Sequence, residues 1–285
     1  MTAAVQIRHA RRWPVSLILS GGFILLLVGL ALFAPLIAPV DPLEQDLLLE
    51  RLPPFWAADA EPGYWLGTDS LGRDVLSRLI HATQTALIVA LLAASFACLI
   101  GTALGLLAGF FGGWVDMLIS RLVDIWMSFP PVLLSILLVA VLGTGLHSVV
   151  IAIAVIDWTR FCRVIRTETQ AQTSEDYVDA AQTIGLTRFA ILWREVLPNV
   201  APTVIVLLSL EMGIAVIVEA ILSFVGLSVS SDTPTWGGMI AEGRQVIHYA
   251  WWVLVFPLAA LCLTVLAFNR FGDALRLRID PVMRR

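Results

Sequence analysis

The sequence predicts an all-α protein that crosses a membrane six times, and three observations support that prediction. Of its 285 residues, 59% are hydrophobic and 14% are charged, and the mean hydropathy is +0.88. This composition is typical of polytopic membrane proteins rather than of soluble globular ones. Several apolar runs reach the roughly 20 residues with which a helix crosses the hydrocarbon layer. The basic residues concentrate in alternate loops, as the positive-inside rule requires.

The predicted spans differ in their polarity. Three runs contain no charged residue, and a fourth uncharged run contains the Pro130-Pro131 pair, which predicts a kink. Two further runs carry ionisable residues, so we expect them to be spans with polar interior faces. In chain order the six spans are 15–37, 85–111, 125–142, 149–165, 200–229 and 249–268.

The distribution of arginine supports this count. The chain contains no lysine, and with both termini in the cytoplasm fourteen of its eighteen arginines fall in segments predicted to be cytoplasmic. If span 149–165 were omitted, the five arginines after Phe268 would lie outside. The exterior arginines of the six-span arrangement are Arg51, Arg73, Arg78 and Arg244.

The polar loop 174–198 interrupts this apolar chain and predicts two short amphipathic helices. We expect Ser174 to cap the first helix and Gly185 to end it in the left-handed conformation. Thr187 is expected to cap the second helix, which Pro198 would end. Such a pair lies on the bilayer surface, or it presents a shaped surface to a soluble partner. The predicted apolar sides are Tyr177, Ala180, Ala181 and Ile184 in the first helix and Phe189, Leu192, Trp193 and Val196 in the second.

Ionisable residues inside predicted spans are costly in lipid and therefore need partners. Asp157 and Arg160 stand three residues apart on one helix face, a spacing that predicts an ion pair. Glu211 and Glu219 have no local partner in the sequence. They make span 200–229 a candidate wall of an aqueous path, although a hydrogen bond to another subunit would serve as well.

Two exterior segments are also distinctive. In segment 66–78, we expect Thr68 or Asp69 to cap a short helix that leads into the second span. In the exterior loop 228–248 and just after it, Trp236, Trp251 and Trp252 are expected at the membrane interface, where amphipathic rings are favoured.

The motifs of an enzyme are missing from the sequence. Without a lysine the chain cannot form a P-loop, so any ATP is hydrolysed on another polypeptide. It contains neither an HExxH zinc helix nor a GxSxG nucleophile turn. The three cysteines fall in predicted spans without metal-binding spacing, and the charge pattern gives no nucleic-acid footprint. We therefore expect no catalytic site, no metal and no cofactor on this chain.

The loop sequence DAAQTIG (179–185), followed by VLP (196–198), resembles the EAA loop of ABC importer permeases. Asp179 stands where that loop usually has glutamate, which keeps the charge on a shorter side chain.

Ordered motifs along nearly the whole chain narrow the resemblance to permeases of the peptide, opine and nickel group. The chain looks like the C-type subunit of the dipeptide and oligopeptide systems. Arg270 and Leu277 depart from the usual leucine and aspartate in the last motif. The motifs are Asp41-Pro42, GTDSLGRDVLSR (67–78), GLLAGFFGGWVD (105–116), SFPPVLL (128–134), EAILSFVGL (219–227), PTWG (234–237) and FNRFGDALRLRIDP (268–281).

The resemblance implies a type I ABC importer permease in the bacterial cytoplasmic (inner) membrane. It implies a homologous second permease, two cytoplasmic ATPases that use ATP and magnesium, and an extracytoplasmic binding protein. Residues 1–80 would comprise the N-terminus, the first span and an exterior loop, and residues 81–285 a transport core of five spans. The ATPase-coupling residues would be Glu175, Asp176, Tyr177, Asp179, Ala180, Ala181, Gly185, Leu197 and Pro198.

Four functions remain open from the sequence. The leading one is import of di- or oligopeptides, with this chain forming half of the translocation path. The same machinery could instead carry nickel, a metal chelate or an opine. In another class, an ion-coupled secondary transporter would use Asp157, Glu211 and Glu219 as a proton relay, and a membrane anchor or sensor would need no coupling helix.

Overall fold

The computed structural model describes residues 15–229 and 232–279. Within these ranges the chain is helical, and its one β pairing is an isolated bridge between Thr68 and Asp74. The predicted all-α class is confirmed. The helices are α1 (Val15–Leu32), α2 (Ala34–Ile37), α3 (Val75–Phe111), α4 (Gly113–Met127), α5 (Pro131–Leu142), α6 (Leu146–Thr173), α7 (Asp176–Thr183), α8 (Arg188–Ile191), α9 (Leu197–Phe224), α10 (Trp236–Val246) and α11 (Trp251–Ile279).

The described residues contain four helical segments that are long and apolar enough to cross a membrane. They are Val15–Leu32, Val75–Phe111, Arg188–Phe224 and Trp251–Arg278. A fifth candidate is the pair α4 and α5, and the remaining predicted span lies in α6, a 28-residue helix with a buried apolar face.

The kink predicted at Pro130-Pro131 is a sharp break. Helices α4 and α5 meet at 85° across it. Pro130 has an extended backbone and Pro131 begins α5. A residue before proline is disfavoured in the helical region, so the first helix ends and the second starts afresh in a new direction.

The centre of the molecule is the close contact of α3 with α6. Three glycines of α3, spaced four residues apart, lie on one face against α6. A Cβ added to Gly101 would lie 2.3 Å from the carbonyl oxygen of Trp158, and one added to Gly105 would lie 2.8 Å from that of Cys162. A Cβ on Gly109 would come 2.6 Å from the Cβ of Thr169. The backbones approach this closely only because these positions carry no side chain.

The helix expected to end at Pro198 continues instead. Segment Arg188–Phe224 is one 37-residue helical unit, so the prediction that Pro198 closes a helix is wrong. Residues Leu192–Val196 form a wide π turn just before the proline, and Leu197 donates its N–H to the carbonyl of Leu192. With this wider spacing the helix continues without a break, although Pro198 has no backbone N–H to donate.

Buried side chains hold the predicted exterior segment to the helices. Asp74, rather than Thr68 or Asp69, caps α3 by accepting from the N–H of Ser77 at 2.8 Å. Trp236 is 1% exposed and donates to the carbonyl of Leu79, and Trp252 is also buried. The interfacial placement predicted for these two rings is therefore wrong, whereas Trp251 is exposed.

Four charged side chains link the predicted exterior segment to α10. Arg73 contacts both Asp69 (2.8 Å) and Glu242 (2.9 Å). Arg78 lies between the same two carboxylates, 2.6 Å from Glu242. Asp69 and both arginines are buried. Because each charge has an opposite partner, the network fixes α10 against the start of α3.

We predict that Gly101→Ala destabilises the folded protein, because its Cβ would overlap the backbone of α6. Overpacking of this kind typically costs about 1–3 kcal/mol. Gly29→Ala, in α1, is the matched control, since nothing lies within 4 Å of its added Cβ. Thermal unfolding of the purified protein in one detergent compares the two. Equal midpoints would contradict the importance of the glycine face.

We also predict that Asp69→Ala lowers stability by about 3–5 kcal/mol, because it leaves two buried arginines to share one carboxylate. Asp59→Ala removes an exposed exterior carboxylate and serves as the control. Denaturant titration measures both variants. If Asp69→Ala unfolds no more readily than Asp59→Ala, the network is not a structural link.

Candidate coupling surface and buried polar groups

Gly185 ends helix α7. This glycine has a φ of +87°, in the left-handed region that residues with a Cβ adopt at a cost. Its N–H donates to the carbonyl of Gln182, and the N–H of Leu186 donates to that of Ala181. These two bonds form a Schellman motif. The predicted helix end at Gly185 is confirmed.

The start of α7 differs from the prediction. Glu175, rather than Ser174, occupies the N-cap position, and its side chain makes no capping bond. The Ser174 hydroxyl donates to the carbonyl of Ala171 at 2.7 Å. It therefore completes the last turn of α6 and is not available to α7. The predicted cap at Thr187 is confirmed, since its hydroxyl accepts from the N–H of Ala190 at 3.3 Å.

One side of the loop packs firmly against the helices. Val178 and Ala181 of α7 are buried, together with Ile165 of α6 and Val200 of α9. Tyr177 is half-buried and donates to Gln172 at 2.9 Å. Burial and the nearby carboxylates of Glu175 and Glu195 raise the pKa of this phenol, so it stays a neutral donor. Helix α7 is thus attached to two long helices.

The other side of the loop is exposed and partly apolar. Ile184 is 78% exposed, and Phe189 and Trp193 are also mostly exposed. These three residues belong to the predicted apolar sides of the two helices, and within this chain they remain exposed. Ala180 is exposed beside them, and so is the carboxylate of Asp179. We call Asp179, Ala180, Ile184, Phe189 and Trp193 the loop surface.

The remaining predicted coupling residues lie at the edges of this surface. Glu175 and Asp176 are exposed at the start of α7, where acidic side chains favour the positive end of the helix dipole. Leu197 is half-buried and Pro198 is exposed, in the first turn of α9. Phe189 contacts Phe111 at the end of α3, with 5.7 Å between ring centroids. The loop as a whole therefore contacts α3 as well as α6 and α9.

The buried polar residues of α6 and α9 form one group. Arg160 Nη1 lies 3.3 Å from Glu211 Oε2, so the predicted partner, Asp157, is not the one that it bonds. Asp157 lies within hydrogen-bonding reach of Glu211. Both carboxyls are buried, whereas the Arg160 side chain is 42% exposed. The group joins α6 to α9 and reaches the surface at its arginine.

Glu219 also has partners within this chain. Its Oε1 accepts hydrogen bonds from the hydroxyls of Ser223 (2.6 Å) and Ser228 (3.2 Å). The serine at 223 lies one turn further along α9, a spacing that could have been read from the sequence. The side chain is buried.

A further ion pair was missed by the sequence analysis. Arg166 of α6 binds Asp116 of α4 through two N–H groups, with Nη2 to Oδ2 at 2.7 Å. Such paired bonds match the planar guanidinium to the carboxylate. The partners are fifty residues apart, so no local spacing could reveal them.

Comparison with known protein families matches both parts of the chain. Residues 101–285 match the family described as "Binding-protein-dependent transport system inner membrane component". Residues 16–54 match the N-terminal TM domain of oligopeptide transport permease C. The two matches follow one another without overlap.

Relatives align over almost the full length. The chain is 42% identical to the di/tripeptide transport system permease protein DppC of Pseudomonas aeruginosa, covering 92% of this chain and 86% of that one. It is 37% identical to the glutathione transport system permease protein GsiD of Pectobacterium atrosepticum, covering 93% and 86%. It is also 37% identical to the dipeptide permease DppC of Alkalihalophilus pseudofirmus, covering 98% and 88%.

Solved structures share the fold at low identity. An inward-facing structure of the MetNI methionine ABC transporter aligns with a TM-score of 0.60 at 19% identity, covering 72% of this chain and 97% of that one. An amino acid ABC transporter aligns with a TM-score of 0.57 at 17% identity, covering 72% and 95%. The fold is that of a type I ABC importer permease. The chain belongs to the family of inner membrane components of binding-protein-dependent transport systems.

Proposed function

We propose that this chain is the membrane-spanning subunit of an ATP-driven importer of di- or oligopeptides and that it forms half of the translocation path. The names of its relatives support the substrate class, because the three described above act on dipeptides, tripeptides or glutathione. Peptide import is favoured over nickel, a metal chelate or an opine for the same reason. In the described residues no three His, Cys, Asp or Glu side chains group as a metal site.

The observation that carries the proposal is the loop surface. It is exposed, partly apolar and acidic at Asp179, and its α7 residues stand on a short helix that the Schellman motif ends. Exposed apolar groups on a rigid support favour a protein partner over water. We assign that partner to one of two ATPases, which bind ATP and magnesium and hydrolyse the nucleotide. This chain supplies no catalytic group.

The support of the loop explains how a partner could move the spans. Reversing a two-state gate from about 1:99 to 99:1 takes roughly 5.5 kcal/mol of differential binding. A rigid helix can transmit such a difference in binding free energy to the spans, whereas a flexible loop would change its own conformation instead. Because α7 packs on α6 and α9, movement of the loop surface would shift both helices together.

The rest of the assembly follows from this role. A homologous second permease would form the other half of the path, and an extracytoplasmic binding protein would deliver the peptide. Both termini and loop 174–198 would lie in the cytoplasm, which the arginine distribution supports. Glu211 and Glu219 would line the path in a conformation that separates α9 from its neighbours.

We predict that Asp179→Lys uncouples the ATPases from transport, because it reverses the charge of the loop surface without disturbing a buried contact. Peptide uptake by proteoliposomes containing the full complex should fall at least tenfold, equivalent to ~1.4 kcal/mol, and less ATPase should copurify. Asp273→Lys, an exposed carboxylate near the end of α11, is the control and should transport normally.

Normal uptake and normal ATPase binding by Asp179→Lys would contradict the assignment of the loop surface. Gly185→Pro gives a second test, because proline cannot adopt the positive φ at this position. It should also abolish uptake while the spans remain folded. A membrane anchor or sensor would tolerate both changes.

We further predict that uptake requires ATP on the side of the ATPases and continues when an uncoupler collapses the proton gradient. Proteoliposomes with and without enclosed nucleotide measure this directly. Nucleotide-independent uptake that the uncoupler stops would instead identify a proton-coupled transporter, with Asp157, Glu211 and Glu219 as candidate carriers.

A further inference from the structure

A groove runs between α1 and α11, away from the loop surface and from the polar group of α6 and α9. Its volume is about 370 Å³, within the size range of small-molecule sites. The lining is almost entirely apolar and includes Leu19 and Phe23 of α1 and Leu263 and Leu266 of α11. Arg270 lines it as well and, among the residues that the structure describes, is the one charged residue of the lining.

The position of Arg270 gives the groove a polar end. Residues 249–268 contain no charge, and Arg270 follows them directly. On the other wall, Ser16 lies in the first turn of α1. The charge and the hydroxyl therefore mark the end of both spans, whereas the leucines and the phenylalanine lie along their apolar lengths. A molecule that fills this groove needs an apolar body and a polar end.

The polar end carries an uncompensated positive charge. In the described residues no hydrogen bond or ion pair joins Arg270 to a carboxylate. Asp273 stands three residues further along the same helix, but no ion pair forms between them. Ser20 donates its hydroxyl to the carbonyl of Ser16 at 2.7 Å, so this hydroxyl is not available to a ligand in the groove. Charge complementarity thus calls for an anion at Arg270.

We propose that this groove binds an anionic phospholipid of the surrounding leaflet, with an acyl chain between α1 and α11 and the phosphate at Arg270. A guanidinium matches a phosphate with two parallel hydrogen bonds. Basic pockets between membrane helices on the cytoplasmic side are known to bind anionic headgroups. The arginine distribution places this end of α11 on that side.

The lipid would also explain how α1 stays attached. Only 17% of the most apolar window of α1 is buried within the chain, so this chain alone covers little of the helix. A bound chain would fill the space between α1 and α11 and add contact to both. Binding to the folded state raises its stability by mass action.

The test uses the full chain, purified with the subunits that accompany it and stripped of lipid by detergent washing. Vesicles of phosphatidylcholine alone, or with one fifth phosphatidylglycerol, then supply lipid. Native mass spectrometry counts the phospholipids that remain bound. We expect retained phosphatidylglycerol to exceed phosphatidylcholine at least tenfold and to raise the melting temperature of the complex.

Two variants and one control distinguish the contribution of the charge of Arg270 from that of the apolar groove. Arg270→Gln should abolish the preference for phosphatidylglycerol, whereas Arg121→Gln, which removes an exposed arginine of α4 outside the groove, should keep it. Leu19→Trp should reduce retention of both lipids, because the larger ring occupies the groove. Leu19 is 68% exposed, so the ring does not disturb the packed core.

Three results would overturn the proposal. The first is equal loss of phosphatidylglycerol in Arg270→Gln and Arg121→Gln, which would indicate a general charge effect. The second is unchanged retention in Leu19→Trp, which would place the lipid elsewhere. The third is efficient cross-linking of Leu19→Cys to another protein subunit, because a polypeptide would then fill the groove.

Discussion

The close contact of α3 with α6 is the interaction on which the rest of the structure depends. Water drives helices together in soluble proteins, but lipid offers little such force, so packing has to come from the shape of the helices themselves. Gly101, Gly105 and Gly109 provide that shape, because they let two backbones touch over three turns. The helices that carry the loop surface and the polar group are positioned from this contact.

From that contact the remaining features are arranged along two directions. Towards one end, α6 leads into α7, whose buried side packs with α9 and whose exposed side forms the loop surface. Towards the other end, α3 begins at Asp74, beside the charged network that reaches α10. The same pair of helices therefore connects the loop surface to the charged network at the start of α3.

Much of this could be predicted from the sequence, because hydropathy and turn chemistry are local. The long apolar runs are continuous stretches of sequence, and the break at Pro130-Pro131 and the helix end at Gly185 each follow from a few adjacent residues. Partners far apart in the chain could not be predicted in this way. Arg160 bonds Glu211, and Arg166 bonds Asp116, because the fold brings α6 against α9 and α4. The four-residue spacing of the α3 glycines can be read from the sequence, but the helix against which they pack cannot.

The π turn at residues 192–196 has a consequence for the way the chain is oriented. A π turn contains one residue more than the α-helical pattern, so it shifts the phase of the helix by about 100°. Deleting any one residue of the turn would rotate the part of the chain that precedes the turn by about a quarter of a circle relative to α9. The direction in which the loop surface faces relative to α9 therefore depends on the number of residues in this turn and not on which residues they are.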